Sequence, residues 1–60
     1  MYAGKVLRVI AKTNTFELGE LVYCFVDEGF QFRVSAQRDI NGVREVIFDS
    51  ADRHKFEVYQ

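Results

Sequence analysis

The stretch Leu21-Val22-Tyr23-Cys24-Phe25-Val26-Asp27-Glu28-Gly29-Phe30-Gln31-Phe32-Arg33-Val34-Ser35-Ala36 is two apolar, aromatic and β-branched runs hinged at a glycine. Runs of this make-up on either side of a turn signal read as an antiparallel hairpin. A two-residue loop at Glu28-Gly29 sets Asp27 opposite Phe30. It then places Phe25 across from Phe32, Tyr23 from Val34 and Leu21 from Ala36, all on one face, with Gln31, Arg33 and Ser35 on the other. The predicted strands run from Leu21 to Asp27 and from Phe30 to Arg38. Val22, Cys24 and Val26 then fall on the second face, apolar where a half-solvated sheet should be polar. That face is expected to be covered by the sheet folding over or by another chain, so a homo-oligomer through these three residues is one expectation.

On the N-terminal side, a strand over about Gly4 to Lys12 puts Leu7, Val9 and Ala11 on one face. Thr13-Asn14-Thr15-Phe16-Glu17-Leu18-Gly19-Glu20 breaks the alternation and reads as a long loop, with Thr and Asn bonding locally and Gly19 permitting a tight return. On the C-terminal side, Asp39-Ile40-Asn41-Gly42 is a second turn with two readings. A two-residue loop pairs Asp39 with Arg44 and Arg38 with Glu45. A three-residue loop pairs Val34 with Phe48 and Ala36 with Val46. Burial favours the second, since Val or Phe contributes about 1.5–3 kcal/mol where an exposed ion pair gives about 0–1. Asp49-Ser50-Ala51-Asp52-Arg53 reads as one helical turn capped by Asp49 or Ser50. A last strand from about His54 to Tyr59 turns Phe56 and Val58 inward.

Sixty residues of mass 7.0 kDa leave room for one core, so residues 1–60 are read as a single domain. A chain this short seldom holds both a core and a substrate cleft, which argues against an enzyme acting alone. One cysteine excludes an internal disulfide, and no Cys/His tetrad is present for structural zinc, so neither metal nor cofactor is expected. No apolar run reaches the roughly 18 residues of a membrane span, and Met1-Tyr2-Ala3-Gly4-Lys5 lacks the apolar stretch of a signal peptide; a cytoplasmic protein is expected. With 48% apolar residues and a net charge of −1, the chain is far from the composition of disorder.

The order of long first loop, tight second loop, hairpin, single helical turn and closing strand resembles the SH3-like small β-barrel. It is also similar to a loose group of short phage-encoded proteins of that fold. The residues that carry the likeness are Val6 to Ile10 leading into Phe16, Leu18-Gly19-Glu20, Asp27-Glu28-Gly29-Phe30 and Phe56-Glu57-Val58. The resemblance covers nearly the whole chain and transfers no active site. It implies an all-β fold, a five-stranded antiparallel barrel with one helical turn before the last strand. It also implies a viral accessory role in which the chain binds and modulates or inhibits a host protein.

Candidate chemistry is sparse. Polyproline recognition needs an aromatic groove with Trp and Tyr, and the chain has no Trp. Phe16 is read both as a plug over one end of the barrel and as a contact residue. If the two long loops lie together, as the resemblance implies, Glu17, Glu20, Asp27 and Glu28 form an acidic rim that steers a basic partner surface. Tyr2 and Tyr59, near termini that pair in this fold, add an aromatic patch. These seven residues, Phe16 included, are the expected protein-binding surface.

The alternative is a small nucleic-acid-binding barrel using Arg33, Arg38 and Arg44, with Tyr23 or Phe25 for stacking. Against it stand the net charge and the hairpin register, which turns both rings toward the core. A third reading is a structural subunit joined through strand edges. His54 stands alone between Arg53 and Lys55, and Cys24 lies mid-strand, so no catalytic residue is assigned.

Overall fold

A computed structural model of the chain describes residues 1–36 and 45–60. The described residues form strands β1 (Val6–Val9), β2 (Leu21–Asp27), β3 (Gln31–Ala36), β4 (Val46–Asp49) and β5 (Phe56–Val58), with a 3-10 turn (Ser50–Lys55) before the last. All pairings are antiparallel and the sheet order is β4-β3-β2-β1-β5. The all-β class, the five antiparallel strands and the single turn before β5 are as the sequence indicates. Asp49 caps that turn, its carboxylate accepting from the Ala51 amide at 3.0 Å.

The sheet does not close into a barrel. β4 and β5 are its two ends and do not pair. The turn Ser50–Lys55 separates them, and the gap is spanned by side chains, with the rings of Phe48 and Phe56 5.1 Å apart. Phe32 stands at the centre, 5.8 Å from Phe48, 5.4 Å from Phe56 and 5.4 Å from Tyr2. Around these rings lie Leu7, Val9, Phe16, Val22, Cys24 and Val34, all buried. At about 1.5–3 kcal/mol for each fully buried large side chain, this cluster is the main source of stability.

The hairpin of β2 and β3 departs from the expected register. Cys24 faces Val34, but Val26 faces Arg33 and Asp27 faces Phe32, so Phe25 is an extra residue in β2. This is a β-bulge, and its consequence is a change of side. Before it, Val22 and Cys24 point inward while Leu21, Tyr23 and Phe25 point outward; after it, Asp27 points inward and Val26 outward. The expected meeting of Phe25 with Phe32, and of Tyr23 with Val34, is therefore overturned. The physical reason lies in the turn. Gly29 has φ of 87°, the Glu28 amide donates to the Gln31 carbonyl at 2.8 Å, and Phe30 belongs to the turn rather than to β3. Burial of the Asp27 carboxylate, described below, supplies the other half of the answer.

The other strands are corrected in smaller ways. β1 ends at Val9 because the loop returns early: Gly19 N–H donates to Val9 C=O and Val9 N–H to Glu20 C=O, at 2.7 and 2.9 Å. β3 and β4 pair Phe32 with Phe48 and Val34 with Val46, a register offset by two residues from the burial-favoured reading that keeps the same faces. The Asn41-Gly42 turn lies outside the described residues. Val58, expected inside, is half exposed, since β5 stops at this residue at the end of the sheet.

Candidate functional site

Among the described residues, Asp27 is the most heavily hydrogen-bonded side chain. Its Oδ2 accepts from Arg53 Nη1 and from the Tyr2 main-chain amide, both at 2.8 Å, and its Oδ1 from Arg53 Nη2 at 2.6 Å and the Gly29 amide at 2.9 Å. A carboxylate has about four acceptor sites, and all four are used. The side chain is 0% exposed and that of Arg53 25%. The guanidinium also donates to Gly29 C=O at 2.9 Å and lies over the rings of Phe32 and Tyr2, 4.8 and 5.1 Å from their centroids. The Arg53 hydrogen bonds hold the Asp27 carboxyl well below the usual carboxylate range, against the opposing effect of burial. The same bonds raise the Arg53 pKa. Asp27 has all of its acceptor sites filled from within the chain. It ties the N-terminus, the β2–β3 turn and the 3-10 turn together.

The acidic rim expected of Glu17, Glu20, Asp27 and Glu28 is not assembled. Glu20 precedes the seven-residue β2 and Asp27 ends it, so the two pairs stand at opposite ends of a strand about 20 Å long at roughly 3.3 Å per residue. The first pair belongs to a tight turn in which the Glu20 amide donates to Glu17 C=O and the Glu17 amide to Glu20 Oε1, with Gly19 at φ 86°. Leu18 is presented at the tip of that turn, exposed. Glu28 is exposed and accepts from Gln31 Nε2.

Phe16 is buried, held by Thr13 Oγ1, which accepts from the Phe16 amide at 2.8 Å, and packed 6.2 Å from Phe48. It is a core plug, which removes it from the expected binding surface. Tyr2 is half-buried on Phe32 and Arg53. Tyr59 is exposed but lies beneath Arg8, which pairs with Glu57. The structure therefore does not bring Tyr2 and Tyr59 into one patch: the first is at the Asp27 end of the fold, the second on the outer side of β5 beside Arg8.

Val22 and Cys24 are fully buried, so the oligomer surface expected of Val22, Cys24 and Val26 does not exist as a surface. The sheet itself covers them. Burial raises the Cys24 thiol pKa, and its Sγ donates to Val26 C=O. Among the described residues no group of three or more His, Cys, Asp and Glu is placed to hold a metal ion, and no helix is long and apolar enough to cross a membrane.

What the sequence reading missed is the outward face of the central strands. Tyr23 and Phe25, which the unbulged register sends into the core, form a T-shaped pair 5.1 Å apart on this face. Beside them a row crosses three strands: Val26, 40% exposed, then Arg33, then Ile47, 54% exposed. Arg33 makes a single-point ion pair with Glu45 at 3.3 Å, with both side chains more than a third exposed. At the tip of the β2–β3 hairpin Phe30 is 68% exposed. One signal was available in the sequence, the Gly29 that forces Phe30 into a turn. Arg38 and Arg44 lie outside the described residues. No family model, curated protein or solved structure matches the chain.

Proposed function

We propose that this chain is a non-enzymatic protein-binding module whose contact surface is the outward face of β2, β3 and β4, ending at the Phe30 tip. The reading rests on the row Val26–Arg33–Ile47, apolar residues left in solvent on both sides of an arginine, next to the Tyr23–Phe25 pair. Interface centres are enriched in aromatic residues and Arg, and they work best when presented without further ordering. Here the Asp27–Arg53 clamp fixes the adjoining tip before any partner arrives. The resemblance to short phage-encoded SH3-like proteins directs the search for the partner to a host protein.

A single-stranded nucleic acid is the second reading, and one observation favours it: Tyr23 and Phe25 are on the outside, available for stacking. Charge disfavours it. Arg8, Arg33, Arg53 and Lys55 each face a carboxylate, which leaves Lys5 and Lys12 as the unpaired side-chain cations among the described residues, few for a phosphate track.

The test is capture from an extract of the source cell with the wild-type chain and with Val26→Lys and Phe30→Ser. The proposal expects a specific protein held by the wild type and lost by both variants, whose circular dichroism is unchanged. Capture that ignores both substitutions contradicts it. Retention of a single-stranded oligonucleotide that falls steeply with salt supports the second reading instead.

A further inference from the structure

We infer that the outer edge of β4, which no strand among the described residues pairs, accepts an extended, basic segment of the partner as a sixth strand; the inference rests on the protein-binding reading above. Among the described residues β4 ends the sheet, and its hydrogen-bond phase can be read from one contact. The Ser50 amide donates to Phe30 C=O at 2.8 Å, so in the same phase Phe32–Phe48 and Val34–Val46 exchange the ladder bonds. The main-chain groups of Ile47, between them, point away from β3 to the open side. An edge of this kind is a template for strand addition, in which main-chain bonds give affinity and alternate side chains give selectivity.

The charges on β4 say which strand fits. Glu45, which immediately precedes it, Ile47 and Asp49 alternate, and both acids are exposed. A second copy is opposed, because a two-fold antiparallel pair centred on Ile47 puts Glu45 opposite Asp49 on both sides of the axis. Like charges directly opposite one another destabilise a sheet. A segment with Lys or Arg at two positions four apart, and a β-branched residue midway, reverses the sign at both places and covers Ile47. Glu45 already faces Arg33 and Asp49 caps Ala51, yet each carboxylate retains acceptor sites for a cation.

The probe is the end-blocked peptide Thr-Lys-Thr-Val-Thr-Lys-Thr, titrated at low salt into 15N-labelled protein, with the peptide bearing Glu for both Lys as control. The expected result is a shift of the Ile47 and Glu45 amides and, with peptide at ten times its Kd, roughly tenfold slower exchange of the Ile47 amide. The control peptide leaves both unchanged. Ile47→Pro removes the outward N–H without touching a ladder bond, a place where an edge strand tolerates proline, and abolishes the effect. Should that variant not fold, Glu45→Lys gives the same reading: the Lys peptide weakens up to about fivefold, the scale of an exposed ion pair, and the Glu peptide gains.

An Ile47 amide that does not respond, or two peptides that bind alike, overturns the inference. If capture of the partner depends on Val26 and Phe30 while the edge ignores the peptide, the edge fails and the module reading stands. If capture ignores Val26 and Phe30, the module reading itself fails.

Discussion

Arg53 holds Asp27 by two parallel hydrogen bonds, of 2.8 and 2.6 Å, across 26 residues of sequence and on the inner side of the sheet. The pair joins the 3-10 turn to the end of β2, and two main-chain amides complete the coordination. The pair is only partly buried, and Arg53 can reach water once its partner is gone, so losing the Asp27 carboxylate costs on the order of 1.5–3 kcal/mol, the scale of hydrogen bonds to a charged group. A 60-residue domain has roughly 3–9 kcal/mol of total stability. Asp27→Ala is therefore expected to have a markedly lower urea midpoint, whereas Arg53→Lys, which keeps the charge and loses the planar fork, gives an intermediate midpoint. A wild-type midpoint in Asp27→Ala would show that the clamp does not hold the fold.

The same pair sets an acid dependence with a definite sign. The folded Asp27 carboxyl titrates below its unfolded value, which is about 3.9. The stabilisation is thus complete above the unfolded pKa and is lost as pH falls from about 4 toward the depressed folded value. Below about pH 4, wild-type stability should fall more steeply than that of Asp27→Asn, by up to about 1.4 kcal/mol per pH unit for the one proton involved. Denaturant midpoints at several pH values check this; parallel slopes in the two proteins contradict it.

The bulge at Phe25 makes this the one position of β2 where both substitution and deletion leave the neighbours in place. Phe25→Ala trims a half-buried outer ring and leaves the side of every neighbour unchanged, so a loss of about 1 kcal/mol is expected, from area and one aromatic contact. Deleting Phe25 removes the extra residue and lets Cys24, Val26 and Asp27 follow one another opposite Val34, Arg33 and Phe32, each on its present side. The deletion should therefore keep a cooperative thermal transition. Loss of that transition would contradict the assignment of Phe25 as the extra residue.

Cys24 is expected to behave as a core methyl-sized group with a dormant thiol. Burial raises its pKa and shields it, so reaction with an aromatic disulfide reagent at neutral pH should be slow in the native protein and complete in urea. Immediate modification of the folded protein would place the residue at the surface.

Much of this architecture is legible in the residues. The bounds of β2, the Asp49 cap, the turn before β5 and the inward side of Leu7, Val9, Phe32 and Phe56 follow from alternation and turn chemistry. The face of Tyr23 and Phe25 does not, because an alternating apolar pattern is nearly as hydrophobic on one side of this strand as on the other. Val22 and Cys24 against Tyr23 and Phe25 offers no contrast of polarity, and one inserted residue exchanges them. The long-range bond from Arg53 to Asp27 carries the missing information, and nothing in the local sequence announces it. Unbulged pairing sends the aromatic pair into the core, and the loop arrangement that the resemblance implies puts Asp27 on a rim; each belongs in the other place.

Ring proximity by two-dimensional nuclear Overhauser spectroscopy tests the account most directly. Cross-peaks from the Phe32 ring to the rings of Tyr2 and Phe56, and from Tyr23 to Phe25, are predicted, with none between Phe25 and Phe32. A strong Phe25–Phe32 cross-peak would restore the unbulged register, return the aromatic pair to the interior and remove the proposed binding face.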